Sequence, residues 1–202
     1  MSPRRRYCLI SLKLNHSLDP LILKVYRFVL RDRKVNPNTL TVWGTVLGFA
    51  SSICIACGWF LSGALLLLMS GFFDLLDGAL ARDTDSVTSF GGFLDSVLDR
   101  YTDLAVMGGI FVFFVLHGSV RYSVVTFVAT IGTAVIPYAR ARAEAASIRC
   151  RSGLLERPER VILLLVGLFL PPLLPSVILV LAVLTHVTVI QRIVHVRRAV
   201  GR

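Results

Sequence analysis

Charge is scarce in this sequence. Only 17% of its 202 residues are charged, and acids are scarcer than bases, 12 Asp+Glu against 22 Lys+Arg, for a net charge of +10. Hydrophobic residues make up 55% and the mean hydropathy is +0.73, more apolar side chain than a soluble globule of this length can enclose, so a water-soluble domain is excluded. A nucleic-acid-binding domain could be this basic, but it would not also carry apolar runs about 20 residues long. The four cysteines give no zinc or disulfide framework. Cys54 and Cys57 have C-x-x-C spacing but lie inside the apolar stretch 41–68 with no second pair or His nearby, and read as small buried residues, while Cys8 and Cys150 sit among arginines. No signal peptide is expected, since Arg4, Arg5 and Arg6 lead into residues 9–14, which contain Lys13 and no long apolar core. There is no internal repeat and no low-complexity segment.

What is there is a polytopic, all-α membrane protein with an N-terminal cytoplasmic segment, 1–36, and a membrane domain, 37–202. In the first segment Leu18, Leu21, Ile22, Val25, Phe28 and Val29 recur at helical spacing with Lys24, Arg27 and Arg31 between them. That pattern suits an amphipathic helix lying on an anionic membrane surface, or equally one packed on the domain. After the turn at Asn36-Pro37-Asn38-Thr39, six spans are expected at 39–59, 61–81, 90–117, 120–143, 160–170 continuing to 174, and 176–196. Pro171, Pro172 and Pro175 truncate the fifth. Basic residues crowd the N-terminal segment, the stretch 140–160 and the tail from Arg192, whereas the opposite loops hold Arg121 alone. The positive-inside rule therefore places both termini, and the loops after spans two and four, in the cytoplasm.

The scarce acids are concentrated. Asp74, Asp77, Asp83, Asp85, Asp95, Asp99 and Asp103 make up seven of the 12 carboxylates. An ionised Asp at the centre of a membrane helix costs roughly 2.5 to 3.5 kcal/mol on insertion scales, so the cluster needs a counter-charge that Arg82 and Arg100 alone cannot supply. On a helix, Asp74, Asp77, Gly78, Ala81 and Arg82 fall within roughly 140° of one face. Gly91, Asp95 and Asp99 form a second stripe. Brought together across the short 83–89 connection, four carboxylates with small residues between them can hold divalent cations and leave room for a phosphate. Aspartates that merely cap helix ends remain the alternative, and it suits Asp83 and Asp85 best.

Asp74-x2-Asp77-Gly78-x2-Ala81-Arg82-x8-Gly91-x3-Asp95-x3-Asp99 resembles the signature of the CDP-alcohol phosphotransferase (phosphatidyltransferase) family of membrane enzymes. The resemblance implies a six-helix membrane domain, usually a homodimer, and two divalent ions, Mg²⁺ or Mn²⁺, on Asp74, Asp77, Asp95 and Asp99. It makes Asp99 the general base as well, and puts Gly78, Ala81 and Arg82 against the nucleotide and diphosphate of the CDP-activated lipid, CDP-diacylglycerol or CDP-archaeol. Pro37-Asn38-x2-Thr41 resembles an element near the nucleotide in many members, which gives Asn38 and Thr41 a nucleotide role, although helix capping explains both equally well.

A second pair of strings, Tyr138-x-Arg140-Ala-Arg142-Ala-Glu144 and Gly153-Leu-Leu-Glu156-Arg157-Pro158-Glu159-Arg160, resembles the branch of the family whose acceptor is inositol phosphate. Arg140 stands where that branch has Lys. Arg140, Arg142 and Arg157 are the candidates for binding the acceptor phosphate, since guanidinium groups bind phosphate oxygens in pairs. Membrane topology and lipid headgroup contact also explain arginines here. Glycerol phosphate is the alternative acceptor. A divalent-cation transporter would spread its carboxylates through the bilayer over several spans, and a non-catalytic scaffold would not keep four intact aspartates. The role of Asp103 is open between support of the site and holding Arg100.

Overall fold

The computed structural model describes residues 36–83, 88–148, 150 and 153–200. Among them the secondary structure is helical throughout: α1 Pro37–Ala56, α2 Phe60–Asp83, α3 Ser89–Leu116, α4 Val120–Ala145, α5 Arg157–Phe169, a 3-10 turn at Pro171–Leu173, and α6 Leu174–Val200. Each expected span has its helix. The amphipathic helix expected before Asn36, and Asp85, lie outside the described residues.

Four stretches are long and apolar enough to cross a membrane, Pro37–Ala56, Phe60–Asp83, Val120–Ala145 and Pro171–Val200. The other two helices depart for different reasons. α3 carries Asp95, Asp99, Arg100 and Asp103 between its first turn and its middle. α5 has 13 residues, about 20 Å at 1.5 Å per residue against a hydrocarbon core of about 30 Å. It begins at Arg157, earlier than its apolar run suggests, because the Glu156 backbone N–H donates to Glu159 Oε2 at 3.1 Å and Pro158 is pre-set for a first turn. Pro171 and Pro172 then convert the expected continuation to residue 174 into the 3-10 turn.

Three helices end the same way. After α1, Trp59 N–H donates to the Cys54 carbonyl and Gly58 N–H to that of Ile55; after α3, Ser119 donates to Phe114 and Gly118 to Val115; after α4, Ile148 donates to Ala143 and Ser147 to Glu144. This paired closure needs a left-handed residue, and φ is 81° at Gly58, 67° at Gly118 and 59° at Ser147. Cys57 is thus an exposed residue at a helix end, and Cys54 is half-buried, so the cysteine pair is not the buried packing element its apolar surroundings suggested.

The described residues form two compact units, one of α1, α2 and α3 as far as Phe113, the other from Phe114 onward. In the first, α1 is packed through small residues. Ser51 Oγ donates to the Gly63 carbonyl at 2.7 Å and Ser52 Oγ to that of Ala105 at 2.5 Å. A Cβ on Gly48 would collide with Thr102 of α3, and one on Gly109 with the Ser52 backbone carbonyl. Val42, Trp43, Val46, Phe49 and Ile53 of α1 are exposed. Small and hydroxylated residues inside with large apolar residues outside invert the pattern of a soluble helix, as a lipid surround requires.

The second unit repeats this logic. Thr126, Thr185 and Thr188 are fully buried, and each hydroxyl donates to the carbonyl one turn back, at Tyr122, Leu181 and Leu184, so none is left unsatisfied in an apolar interior. A Cβ on Gly132 would collide with Thr185, which sets how closely α4 approaches α6. Ser147→Gly should raise stability by about 1 kcal/mol, because a left-handed non-glycine residue costs about that much. Gly118→Ser should lower it by a similar amount, both read as opposite shifts of the unfolding midpoint in detergent.

Candidate active site

Asp74 and Asp77 lie towards the end of α2, on the side covered by the start of α1. Asp77 is buried, and its Oδ2 accepts a hydrogen bond from Thr41 Oγ1 at 2.5 Å. Asp74 is half-buried, and its Oδ1 occupies the space beside Gly44, 3.0 Å from where a Cβ on that glycine would stand. Asp95 and Asp99 are half-buried on α3. Arg100 Nη2 lies 3.9 Å from Asp99 Oδ2, and Nη1 lies 3.6 Å from Asp103 Oδ2. Of the two roles open to Asp103, the structure shows the one in which it holds Arg100.

The chemistry of this donor set fits a hard divalent cation. The available donor atoms are carboxylate oxygens, and Asp77 lies within electrostatic reach of Asp95 and Asp74. Like charges gathered from two helices in an apolar surround are stabilised by a positive ion. Among the described residues no three His, Cys, Asp or Glu side chains converge as a closed ligand group. The structure thus brings Asp95 within electrostatic reach of Asp77 beside Asp74, with Asp99 one turn further along α3.

Small residues of the signature have specific neighbours. The Arg82 guanidinium folds back over Gly78, its Nη1 only 3.2 Å from where a Cβ would be. Ala81, half-buried, lies on the same face. Gly91 is crowded from two sides, since a Cβ there would be 3.0 Å from both Asn38 Oδ1 and Thr88 Oγ1. The second of these atoms caps α3, accepting from Gly91 N–H at 3.0 Å. Asn38 is itself inside α1, which is capped by Asn36 through a bond from Asn38 N–H to Asn36 Oδ1 at 3.1 Å. Capping therefore explains neither Asn38 nor Thr41: one side chain meets the start of α3 and the other meets Asp77.

Sequence reasoning missed Gly44 and Thr88. Thr88, a hydroxyl residue three before Gly91, had a readable capping signal. Gly44, one turn after Thr41, had none without its partner.

The three candidate acceptor arginines belong to the second unit. Arg140 Nε donates to Glu144 Oε1 at 2.9 Å across one turn of α4, with both side chains half exposed, a pair worth at most about 1 kcal/mol. Arg142 is exposed near the end of the same helix and Arg157 is half-buried at the start of α5. Two further guanidinium groups, Arg160 and Arg192, are buried. Arg192 Nη1 donates to the Ile136 carbonyl at 2.6 Å and lies within electrostatic reach of Arg140, Arg160 and Glu156. Gly153 packs against Thr188 and Arg192, and the Leu155 and Leu154 N–H groups donate to Thr188 Oγ1 and Gln191 Oε1, each at 3.2 Å. The loop before α5 is thereby docked on α6. Sequence reading treated Arg192 as tail charge; its helical position inside an apolar run was the available signal.

The family model for CDP-alcohol phosphatidyltransferase matches residues 34–190. The chain belongs to the CDP-alcohol phosphatidyltransferase family. It is 38% identical over 180 residues to the archaetidylinositol phosphate synthase of Methanothermobacter thermautotrophicus, covering 85% of this chain and 90% of that one. It is 37% identical over 174 residues to the phosphatidylinositol phosphate synthase of Mycobacteroides abscessus, covering 82% and 79%. Among solved structures, the Mycobacterium tuberculosis phosphatidylinositol phosphate synthase with CDP-DAG bound superposes with a TM-score of 0.78 at 32% identity over 88% of this chain and 92% of that one. The same protein with manganese and citrate gives 0.77 at 31%, over 90% and 88%. This CDP-alcohol phosphatidyltransferase therefore shares both the sequence and the helical arrangement of those synthases.

The adjacent glycines 91 and 92 separate crowding from helix propensity. Gly92 has nothing within 4 Å of its would-be Cβ, so Gly92→Ala should keep or raise stability by up to about 1 kcal/mol. Gly91→Ala should lower it, because Asn38 and Thr88 must both give way, and paired unfolding midpoints in detergent check the difference.

Proposed function

We propose that this protein transfers the phosphatidyl, or archaetidyl, group of a CDP-activated lipid to a hydroxyl of inositol phosphate and releases CMP. The observation that carries the acceptor is the similarity, at 37 to 38% identity across most of the chain, to synthases named for the inositol phosphate product. The Gly153-Leu154-Leu155 segment docked on α6, which leads into Arg157 at the start of α5, supports it.

In this reading Asp74, Asp77, Asp95 and Asp99 would hold two divalent cations, Mg²⁺ or Mn²⁺, which when bound would supply positive charge against the diphosphate and the departing CMP phosphate. Gly78 and Ala81 let the diphosphate lie against α2 beside Arg82, and Asn38 borders the nucleotide, with Thr41 entering through Asp77. Asp99 takes the proton of the attacking hydroxyl as its oxygen bonds to phosphorus and the bond to CMP breaks. Arg100, held by Asp103, keeps the Asp99 carboxylate oriented. Arg140, Arg142 and Arg157 bind the acceptor phosphate, with the charge of Arg192 and Arg160 adding to the attraction. All six helices belong to the membrane domain, which works as a homodimer, and both termini and the site face the cytoplasm, the side to which the positive-inside rule assigns 20 of the 22 basic residues.

Purified protein supplied with CDP-diacylglycerol, or separately CDP-archaeol, and Mg²⁺ or Mn²⁺ should release CMP with inositol phosphate and not with inositol or serine. Release with glycerol phosphate alone would move the acceptor assignment, and release with none would remove the activity. Asp99→Asn should lower kcat at least 10³-fold, about 4 kcal/mol of transition-state stabilisation, while binding of the CDP-lipid persists in a direct binding measurement.

A further inference from the structure

We propose that α1 sets the orientation of Asp74 and Asp77 on α2, with Thr41 and Gly44 as positioning residues: Thr41 by a hydrogen bond to Asp77, Gly44 by leaving the space that the Asp74 carboxylate occupies. The proposal rests on the metal-dependent reading above and deepens it.

The two helices run antiparallel in a fixed register. Thr41 lies against Asp77, Gly44 against Asp74, Gly48 against Ser70, and Ile55 against Gly63. Each turn forward on α1 meets one turn back on α2, so the contacts to the two aspartates form one end of a continuous seam. Thr41 Oγ1 is 2.5 Å from Asp77 Oδ2 and 3.2 Å from the Pro37 carbonyl. A hydroxyl has one proton, and an ionised carboxylate has none to give. The proton therefore lies towards Asp77, because two oxygens at the shorter separation with no hydrogen between them would repel. Both residues are buried, at 4% and 6% exposure, so water does not replace this bond. One Asp77 oxygen is fixed by it, which sets the plane of the carboxylate and the direction in which the other oxygen points.

Gly44 acts by what it lacks. A Cβ there would stand 3.0 Å from Asp74 Oδ1, 3.2 Å from Phe73 Cβ and 3.4 Å from the Ser70 carbonyl. The last two belong to the α2 core and cannot rotate away. Only the Asp74 carboxylate can turn, so alanine at position 44 would change the aim of a ligand without touching its identity.

The test measures Mn²⁺ binding by electron paramagnetic resonance on purified protein in detergent, without substrate, for wild type, Thr41→Val, Thr41→Ser, Gly44→Ala and Asp77→Asn. Unfolding midpoints are recorded in chelator. Thr41→Val, which keeps the shape and removes the donor, should weaken Mn²⁺ binding about 10-fold to 100-fold, the usual effect of removing a ligand's supporting hydrogen bond. Thr41→Ser should restore it to within about 3-fold of wild type, about half a log unit or less in Kd. Gly44→Ala should weaken it with Thr41 intact. Wild-type affinity in both Thr41→Val and Gly44→Ala, with Asp77→Asn impaired, would overturn this proposal and leave the metal reading standing. Absence of Mn²⁺ binding by wild type, or unchanged binding by Asp77→Asn, would overturn the metal reading and the proposal together.

Discussion

The close approach of α1 to α2 and α3 is the constraint on which the site depends. Helices that touch lie about 8 to 10 Å apart, the distance being set by the side chains between them. Here those side chains are glycine, serine and threonine. A short hydroxyl such as Thr41 reaches Asp77 only because Gly48 and Gly63 let the same pair of helices close further along the seam. Substituting leucine at either glycine would separate the axes and draw the Thr41 hydroxyl away from Asp77. The same closeness leaves carbonyls of Gly63 and Ala105 near enough to accept from Ser51 and Ser52. Polar groups in the interior are therefore satisfied by helix neighbours instead of water.

Much of this was legible along the chain, for a physical reason. A membrane helix announces itself by an apolar run of known length, and Gly58, Gly118 and the proline cluster interrupt those runs where helices end. The aspartate spacing was legible too, because residues three and four apart share a helix face. What spacing along one helix cannot give is the identity of the neighbour. Thr41 and Asp77 are 36 residues apart, and nothing in Trp43-Gly44-Thr45 marks that glycine as the one beside Asp74. Start points charged at their first turn were also obscured. Arg157 and Glu159 read as loop charge, yet the exchange between Glu156 and Glu159 begins α5 there. Asn38 had two readings at the sequence level, and they were separated by Asn36, whose side chain does the capping.

The aspartate cluster and the candidate acceptor arginines lie in different units. Asp74, Asp77, Asp95 and Asp99 belong to the unit of α1 to α3, while Arg140, Arg142, Arg157, Arg160 and Arg192 belong to the unit from Phe114 onward. On the proposed reaction, both substrates bring phosphate, and the separation gives each a different kind of counter-charge. A carboxylate repels phosphate unless a cation stands between them, so in the proposed reaction the acidic unit would favour a group that can share a metal, such as a diphosphate about to lose CMP. A guanidinium binds phosphate directly and in a fixed plane, which suits an acceptor phosphate that must be held without reacting. Exchanging the two would place the reacting phosphorus beside arginines that hold its oxygens but cannot take the acceptor's proton. On the proposed reaction the arginines of the second unit and the aspartate cluster are therefore two parts of one requirement: distinguishing a phosphate that is to be attacked from one that is only to be gripped.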